Sequence, residues 1–153
     1  MSKSPNRLVG IIFGAVYILV GLLGFTATPT IGFAATEGGL LIGVFEVNPL
    51  HNVIHTIIGA ALLIAGLAGV MAAKVTNATI GGIYLLLGII GFFIVGTELN
   101  LLALNMNDHF LHLASAIVLL VVALAADKKR AGKPTAPRGA TTPTERRQTS
   151  DTD

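Results

Sequence analysis

The sequence has no cysteine and no tryptophan, and only 12% of its 153 residues are charged. The lack of cysteine excludes a disulfide-stapled secreted scaffold and a metal site built on thiolates. Soluble domains carry about 25% charged residues, so the scarcity of charge also excludes a soluble enzyme and a nucleic-acid-binding module. What remains is a small integral membrane protein.

Four long uncharged runs account for this composition. Runs of 29, 27, 23 and 18 uncharged residues occupy positions 8–36, 47–73, 75–97 and 109–126. A helix needs about 20 mostly apolar residues to cross a bilayer, and backbone inside lipid must satisfy its own hydrogen bonds. The first run exceeds the apolar region of a signal peptide, which is about 7–15 residues long. We therefore predict an all-α polytopic membrane protein, with a four-helix transmembrane domain over residues 1–126 and spans at about 8–25, 50–73, 78–95 and 108–126.

An internal repeat relates the first half of the chain to the second. Residues 16–25 align without gaps on residues 83–92, with five of ten positions identical and the others aliphatic. Residues 48–55 align in the same way on residues 105–112. The two offsets, 67 and 57, make the first loop ten residues longer than the second. The repeat predicts two tandem helical hairpins of the same orientation, related by a pseudo-two-fold axis along the membrane normal.

The basic residues predict the orientation and the partners. All ten lysines and arginines fall on one side of a four-span chain, and the positive-inside rule assigns that side to the cytoplasm. We expect an inner (plasma) membrane protein with both termini cytoplasmic, whose main partner is the lipid bilayer. A second copy or another membrane protein stays open as a further partner, and no nucleic acid is expected.

Two segments outside the spans have a distinct composition. Residues 127–153 contain no Leu, Ile, Val or Phe, which predicts a disordered basic cytoplasmic tail. Its residues 128–130 fit either an ordinary flank of the last span or a contact with anionic lipid. The loop 26–47 turns apolar at residues 40–45, a run too short to span. We expect an extended or re-entrant segment there.

The two aligned motifs carry all four histidines in matching polar stripes. The stripe positions i, i+3, i+4 and i+7 lie on one face of a helix. The eight residues form a polar interhelical cluster and are the candidate binding residues: Asn48, His51, Asn52, His55, Asn105, Asp108, His109 and His112. Asn48 and Asn105 also suit helix N-caps. We expect His55 and His112 to face each other at the same depth, because polar groups in membranes pair inside the bundle.

Three functions of the stripe stay open. Our main interpretation is a structural or interaction protein without catalysis, in which the histidines fix helix packing through interhelical hydrogen bonds. It calls for no cofactor and no metal. The first alternative is a metal or haem site, with His55 and His112 as ligands. The second is a proton or ion pathway through the same histidines.

The motifs also carry a family resemblance. The run Val47-Asn48-Pro49-Leu50-His51-Asn52-Val53-Ile54-His55 contains a complete N-P-x-H-N-x-x-H element, and residues 104–112 repeat its pattern. From Arg7 to Ala126 the chain resembles a bacterial, mostly actinobacterial family of small four-helix membrane proteins, described as a domain of unknown function. Many of its members have asparagine at the position of His109, which weighs against a metal site made of all four histidines. The resemblance implies the fold and the membrane location, and it implies no activity.

Overall fold

The structure, a computed structural model, describes residues 4–127. It contains four long helices and one short β-hairpin, in the order α1 (Pro5–Ala27), β1 (Gly39–Leu41), β2 (Phe45–Val47), α2 (Pro49–Ala68), α3 (Val70–Ile94) and α4 (Met106–Ala125). Within the described residues, all four helices are long and apolar enough to cross a membrane. The protein is thus an all-α polytopic membrane protein, as predicted. The predicted tail lies, except for Asp127, outside the described residues.

Two ends of the bundle are distinguished below. The terminal end carries Ser4, Asp127 and the turn at Gly69, and the loop end carries residues 28–48 and 95–105. Large apolar side chains on all four helices, such as Leu19 and Ile64, are more than half exposed. Since a soluble protein would bury such a surface, these side chains form the face that meets lipid.

The helix starts follow from local capping chemistry. The Ser4 side chain accepts a hydrogen bond from the backbone N–H of Arg7, and Pro5 occupies the first turn of α1.

The end of α2 is capped by a side chain of α1. The Arg7 guanidinium donates to the carbonyls of Gly66 and Leu67, at 2.8 and 3.0 Å. Arg7 therefore satisfies two carbonyls that the helix itself leaves free.

The boundary between the second and third helices corrects the predicted spans. We predicted a span over residues 50–73 and the next over 78–95, whereas α2 ends at Ala68 and α3 already begins at Val70. Gly69 separates them with φ 162° and ψ 175°, an extended conformation between two helices. No charge or proline marks this point, so the uncharged run 47–73 hid the end of the helix.

The four helices form two hairpins, as the repeat predicts. α1 packs mainly along α2, and α3 mainly along α4. Buried glycines line the contact in both pairs: a Cβ at Gly14 would lie 2.5 Å from the backbone nitrogen of Leu63, and one at Gly81 would lie 2.9 Å from Leu120 Cγ. Small residues of this kind let membrane helices approach closely. The core between the hairpins contains Tyr17, Leu62, Ile80, Tyr84, Ala116 and Leu119.

The apolar part of the first loop forms the β-hairpin. β1 and β2 are antiparallel, with Leu41 opposite Phe45. The register leaves residues 42–44 as the loop, in which Ile42 and Gly43 have positive φ values of 49° and 74° and the backbone N–H of Val44 donates to the Leu41 carbonyl at 3.2 Å. The expected segment is therefore extended, and it turns back on itself.

A polar network joins the helices at the terminal end. Asp127 accepts hydrogen bonds from the Ser4 hydroxyl at 2.6 Å and from the Asn6 side chain at 3.0 Å. Asn77 of α3 donates to the backbone and side-chain oxygens of Asn6, at 3.0 and 3.2 Å. Asn6 and Asn77 are fully buried, so α1, α3 and Asp127, two residues after α4, are linked through buried amides.

Candidate functional site

The first polar stripe begins with the residue that caps α2. Asn48 accepts from the backbone N–H of His51 at 2.8 Å, and its amide donates to the carbonyls of Ala35 and Leu101, both at 2.8 Å. One side chain thus starts the helix and holds both loops over it. Asn48 is structural in this position because all its strong hydrogen-bonding groups are used within the protein.

The second stripe begins with a capping box. The Asn105 side chain accepts from the backbone N–H of Asp108 at 3.1 Å, and Asp108 accepts from the backbone N–H of Asn105 at 2.9 Å. Asp108 also accepts from the backbone N–H of Glu46 in β2, at 3.2 Å. Asn105 and Asp108 therefore hold the β-hairpin against the start of α4.

Three of the four histidines meet in the space between the hairpins. His51, His55 and His112 are each at most 5% exposed, and one ring nitrogen from each lies within 4.8 Å of the others. The Nε2 atoms of His51 and His55 are 3.2 Å apart. We call these three residues the histidine triad. Its members come from α2 and α4, one helix of each hairpin.

Two tyrosines flank the triad symmetrically. The Tyr17 and His55 rings stack at 5.3 Å and 29°, and the Tyr84 and His112 rings lie at 4.9 Å and 33°. The two tyrosine rings are 5.4 Å apart, and the His55 and His112 rings are 6.0 Å apart. Because Tyr84 is the repeat equivalent of Tyr17, and His112 that of His55, the pairs follow the pseudo-two-fold axis. His55 and His112 face each other as the aligned stripes led us to expect.

The remaining stripe residues, Asn52 and His109, lie outside the triad. Each packs on a glycine of the other helix in its own hairpin: Asn52 on Gly24, and His109 on Gly91, where a Cβ would overlap the side chain. The Asn52 amide donates to the Thr28 hydroxyl at 3.2 Å. The four pairing residues are again repeat equivalents. Asn52 and His109 thus determine how closely each hairpin packs.

The triad has unused hydrogen-bonding capacity. The Nδ1 atoms of His55 and His112 are buried, and the part of the chain that the structure describes offers them no hydrogen-bond partner. Between neutral imidazoles, the 3.2 Å separation of the His51 and His55 nitrogens fits one N–H···N hydrogen bond. It also fits a shared metal ion, because a tetrahedral site with metal–nitrogen bonds of about 2.0–2.1 Å places its nitrogens about 3.3 Å apart.

The buried asparagines of the terminal end, Asn6 and Asn77, belong to none of the motifs that pointed to the stripes. The one signal in the sequence was the position of Asn77, an amide within an uncharged run of 23 residues. Polar residues inside membrane spans usually pair across helices, and these two do so away from the triad.

The comparisons with known proteins give a family and no activity. No curated protein and no solved structure is significantly similar to the chain. One family model matches residues 7–125, which include all four helices except the first two residues of α1. The chain belongs to the family described as Domain of unknown function (DUF4383).

Proposed function

We propose that this membrane protein binds a divalent transition-metal ion of the Zn²⁺ class through the histidine triad. The observation that carries the proposal is the meeting of three buried imidazoles, each with a ring nitrogen within 4.8 Å of the other two. Imidazole is the commonest protein ligand for such ions. The proposal replaces the structural role as our main interpretation, and it includes no catalytic step.

The donor set narrows the choice of metal. Three neutral nitrogen ligands suit Zn²⁺, Co²⁺, Ni²⁺ or Cu²⁺ and do not suit Ca²⁺ or Mg²⁺, which prefer oxygen. Three histidines leave one tetrahedral position open, as in zinc sites that bind a water or a substrate. A buried dication also needs compensating negative charge. Asp108, four residues before His112 on the same face of α4 and itself buried, is the nearest carboxylate along that helix.

The environment of the rings predicts modest affinity. Histidines that bind metal usually donate their other ring N–H to a carboxylate or a carbonyl, and losing that contact costs about 10–100-fold in affinity. The Nδ1 atoms of His55 and His112 lack such a partner among the described residues. We therefore expect exchangeable binding, without the very tight retention of a structural zinc site.

Cobalt provides the direct test. The full chain, purified in detergent without a polyhistidine tag and stripped with chelator, is titrated with Co²⁺ and followed by visible absorption. We expect the intense bands of tetrahedral Co²⁺ to saturate at one ion per chain and to disappear when Zn²⁺ is added. His55→Asn and His112→Asn should lose the bands.

His109→Asn is the matched control, because His109 is an equally buried histidine of the same stripe outside the triad. It should keep the bands. Circular dichroism shows which variants are folded, and the wild-type titration decides even if a triad variant does not fold. A folded wild-type chain without saturable Co²⁺ or Zn²⁺ binding would refute the proposal and return the triad to a packing role.

We further propose that the loop end, and the triad with it, faces away from the cytoplasm. The support is the placement of all ten basic residues on the side of the termini. The resemblance implies a bacterial origin, so we assign the protein to the plasma membrane. The basic residues of the tail are then on the cytoplasmic side, where they can contact anionic lipid. Single cysteines at Thr36 and Thr149 test the orientation in intact cells with a membrane-impermeant thiol reagent. Thr36→Cys should react and Thr149→Cys should not; the reverse pattern would overturn the orientation.

A further inference from the structure

A cavity lies beside the triad at the loop end of the bundle. Its volume is about 220 Å³. Its wall includes Val20 and Leu23 of α1, Leu41 and Phe45 of the β-hairpin, and Leu111 of α4. The His55 ring and the Asp108 side chain belong to the same wall, but they contribute little of its surface. Since nearly the whole lining is hydrocarbon, a ligand here needs apolar surface.

The cavity opens toward the lipid. Leu23 and Leu111, on either side of the seam between α1 and α4, are 46% and 39% exposed, whereas Leu41 inside is 8% exposed. α1 and α4 share few contacts, so the seam between them is not closed by helix packing. Both leucines lie within about two helical turns of the loop end of their helices. The opening therefore faces the hydrocarbon of the leaflet at that end.

The β-hairpin closes the cavity on the side of the aqueous phase. The carbonyl of Val44 accepts hydrogen bonds from the Asn105 and Asn107 side chains, at 2.9 and 3.2 Å, and the backbone N–H of Glu46 donates to Asp108. The hairpin is therefore fixed to the start of α4. The hairpin lies in the loop that is ten residues longer than its repeat equivalent. Only the first of the two repeats therefore has a β-hairpin over a cavity.

The tip of the hairpin supports the same location. Ile42 has φ 49°, a conformation in which a β-branched residue is a genuine outlier. Its side chain is 77% exposed and also lines the cavity. In water, exposure of this side chain would bring no benefit to offset the strain. At the edge of an opening into lipid, the same side chain contacts hydrocarbon.

We propose that the cavity binds the end of an acyl chain of a membrane lipid from the leaflet at the loop end. An apolar cavity of about 150 Å³ accepts benzene, so this larger and mostly apolar cavity has room for a chain segment. An acyl chain needs no polar partner, and it enters from the side that is open. This inference does not rest on metal binding. It adds that the bound chain lies against the His55 ring.

Photo-crosslinking in metal-free protein tests the proposal. The full chain is reconstituted in vesicles of phosphatidylcholine that carries a diazirine near the end of one acyl chain, irradiated, and mapped by mass spectrometry. Lipid around the bundle can label exposed residues, but only a chain inside the cavity reaches Leu41. We expect a Leu41 adduct in the wild type.

Two tryptophan variants make a matched pair for this test. Val20→Trp places a large side chain in the cavity and should lose the Leu41 adduct while the exposed surface is still labelled. Leu22→Trp adds the same side chain to a lipid-facing position outside the lining and should keep the adduct. A wild type without a Leu41 adduct, or equal labelling of Leu41 in the two folded variants, would overturn the proposal. If Val20→Trp does not fold, the wild-type adduct decides.

Discussion

Glycine-to-alanine substitutions at three positions test whether contact geometry, rather than the sequence repeat, determines the stability of the hairpins. Gly14 and Gly81 are repeat equivalents, so the sequence alone predicts equal effects. The structure predicts different ones. A Cβ at Gly14 would lie 2.5 Å from Leu63 nitrogen and 2.8 Å from the Gly59 carbonyl oxygen, both backbone atoms. A Cβ at Gly81 would meet Leu120 Cγ at 2.9 Å, and one at Gly82 would meet nothing within 4 Å.

The expected magnitudes follow from two opposing effects. Alanine is favoured over glycine in a helix interior by about 0.8–1.0 kcal/mol, and overpacking costs about 1–3 kcal/mol. At Gly14 the backbone cannot move away without separating α1 from α2, so the net loss should be about 2 kcal/mol. At Gly81 the contact under 3.0 Å is with Leu120 Cγ, which side-chain rotation can move, while Leu119 Cβ at 3.1 Å and the Leu120 backbone nitrogen at 3.2 Å need to shift by only a few tenths of an ångström; the net loss should be about 0–1 kcal/mol. Gly82→Ala meets no atom and should stabilise the helix by about 0.8–1.0 kcal/mol.

Reversible unfolding in mixed detergent micelles, followed by circular dichroism, measures the three free energies of unfolding under one condition. The order Gly82→Ala, Gly81→Ala, Gly14→Ala from most to least stable is the expected result. Equal losses at Gly14 and Gly81 would refute the reasoning, because they would mean that the identity of the contacting atom does not matter.

Two further predictions concern the buried polar groups. Replacing either His55 or His112 by leucine should destabilise the fold, whereas the double variant should lose less than the sum of the single losses, by a coupling of about 0.5–3 kcal/mol; additive losses in the same unfolding assay would show that the two rings act independently. The hydrogen bond from Ser4 lowers the pKa of the Asp127 carboxyl below its ordinary value of 3.8. The carboxylate therefore stabilises the fold above pH 3.8, and this contribution is lost as the pH falls through the lower folded pKa. The stability difference between wild type and Asp127→Asn should be constant near neutral pH and vanish in strong acid, and a difference that grows on acidification would contradict the assigned role.

Much of the fold could be predicted because membrane spans and duplication leave strong signals. Uncharged runs reveal the helices, and the aligned motifs reveal the hairpins. Two local features gave no such signal. The break at Gly69 has apolar residues on both sides, and the hairpin loop 42–44 has two β-branched apolar residues around its glycine, without the Asn, Asp or Pro that usually mark a turn. Both depend on backbone geometry that tertiary contacts impose.

The candidate site could be predicted in part, because a helical stripe is wider than a single contact. Positions i+3 and i+4 of the stripe differ by about 100° around the helix. In α2 this turns His51 toward α4, while Asn52 packs on α1. The same rotation in α4 separates Asp108 from His109. The stripe therefore identified all three triad members, but it also included residues that pack within each hairpin, and the choice among them needed the helix positions.

The asymmetry of the site shows where the two repeats have diverged. The pairs Tyr17–His55 and Tyr84–His112 are related by the pseudo-two-fold axis. Such an axis relates ligands in equivalent pairs, so it does not explain a third one. The third member, His51, has Asp108 as its repeat equivalent. At this position the first repeat contributes an imidazole to the triad, and the second contributes a carboxylate that holds the β-hairpin. The hairpin itself exists in one loop only. Two equal halves would suffice for packing alone, so the features that break the symmetry, namely His51, Asp108 and the cavity under the β-hairpin, are consistent with the proposed metal and acyl-chain binding.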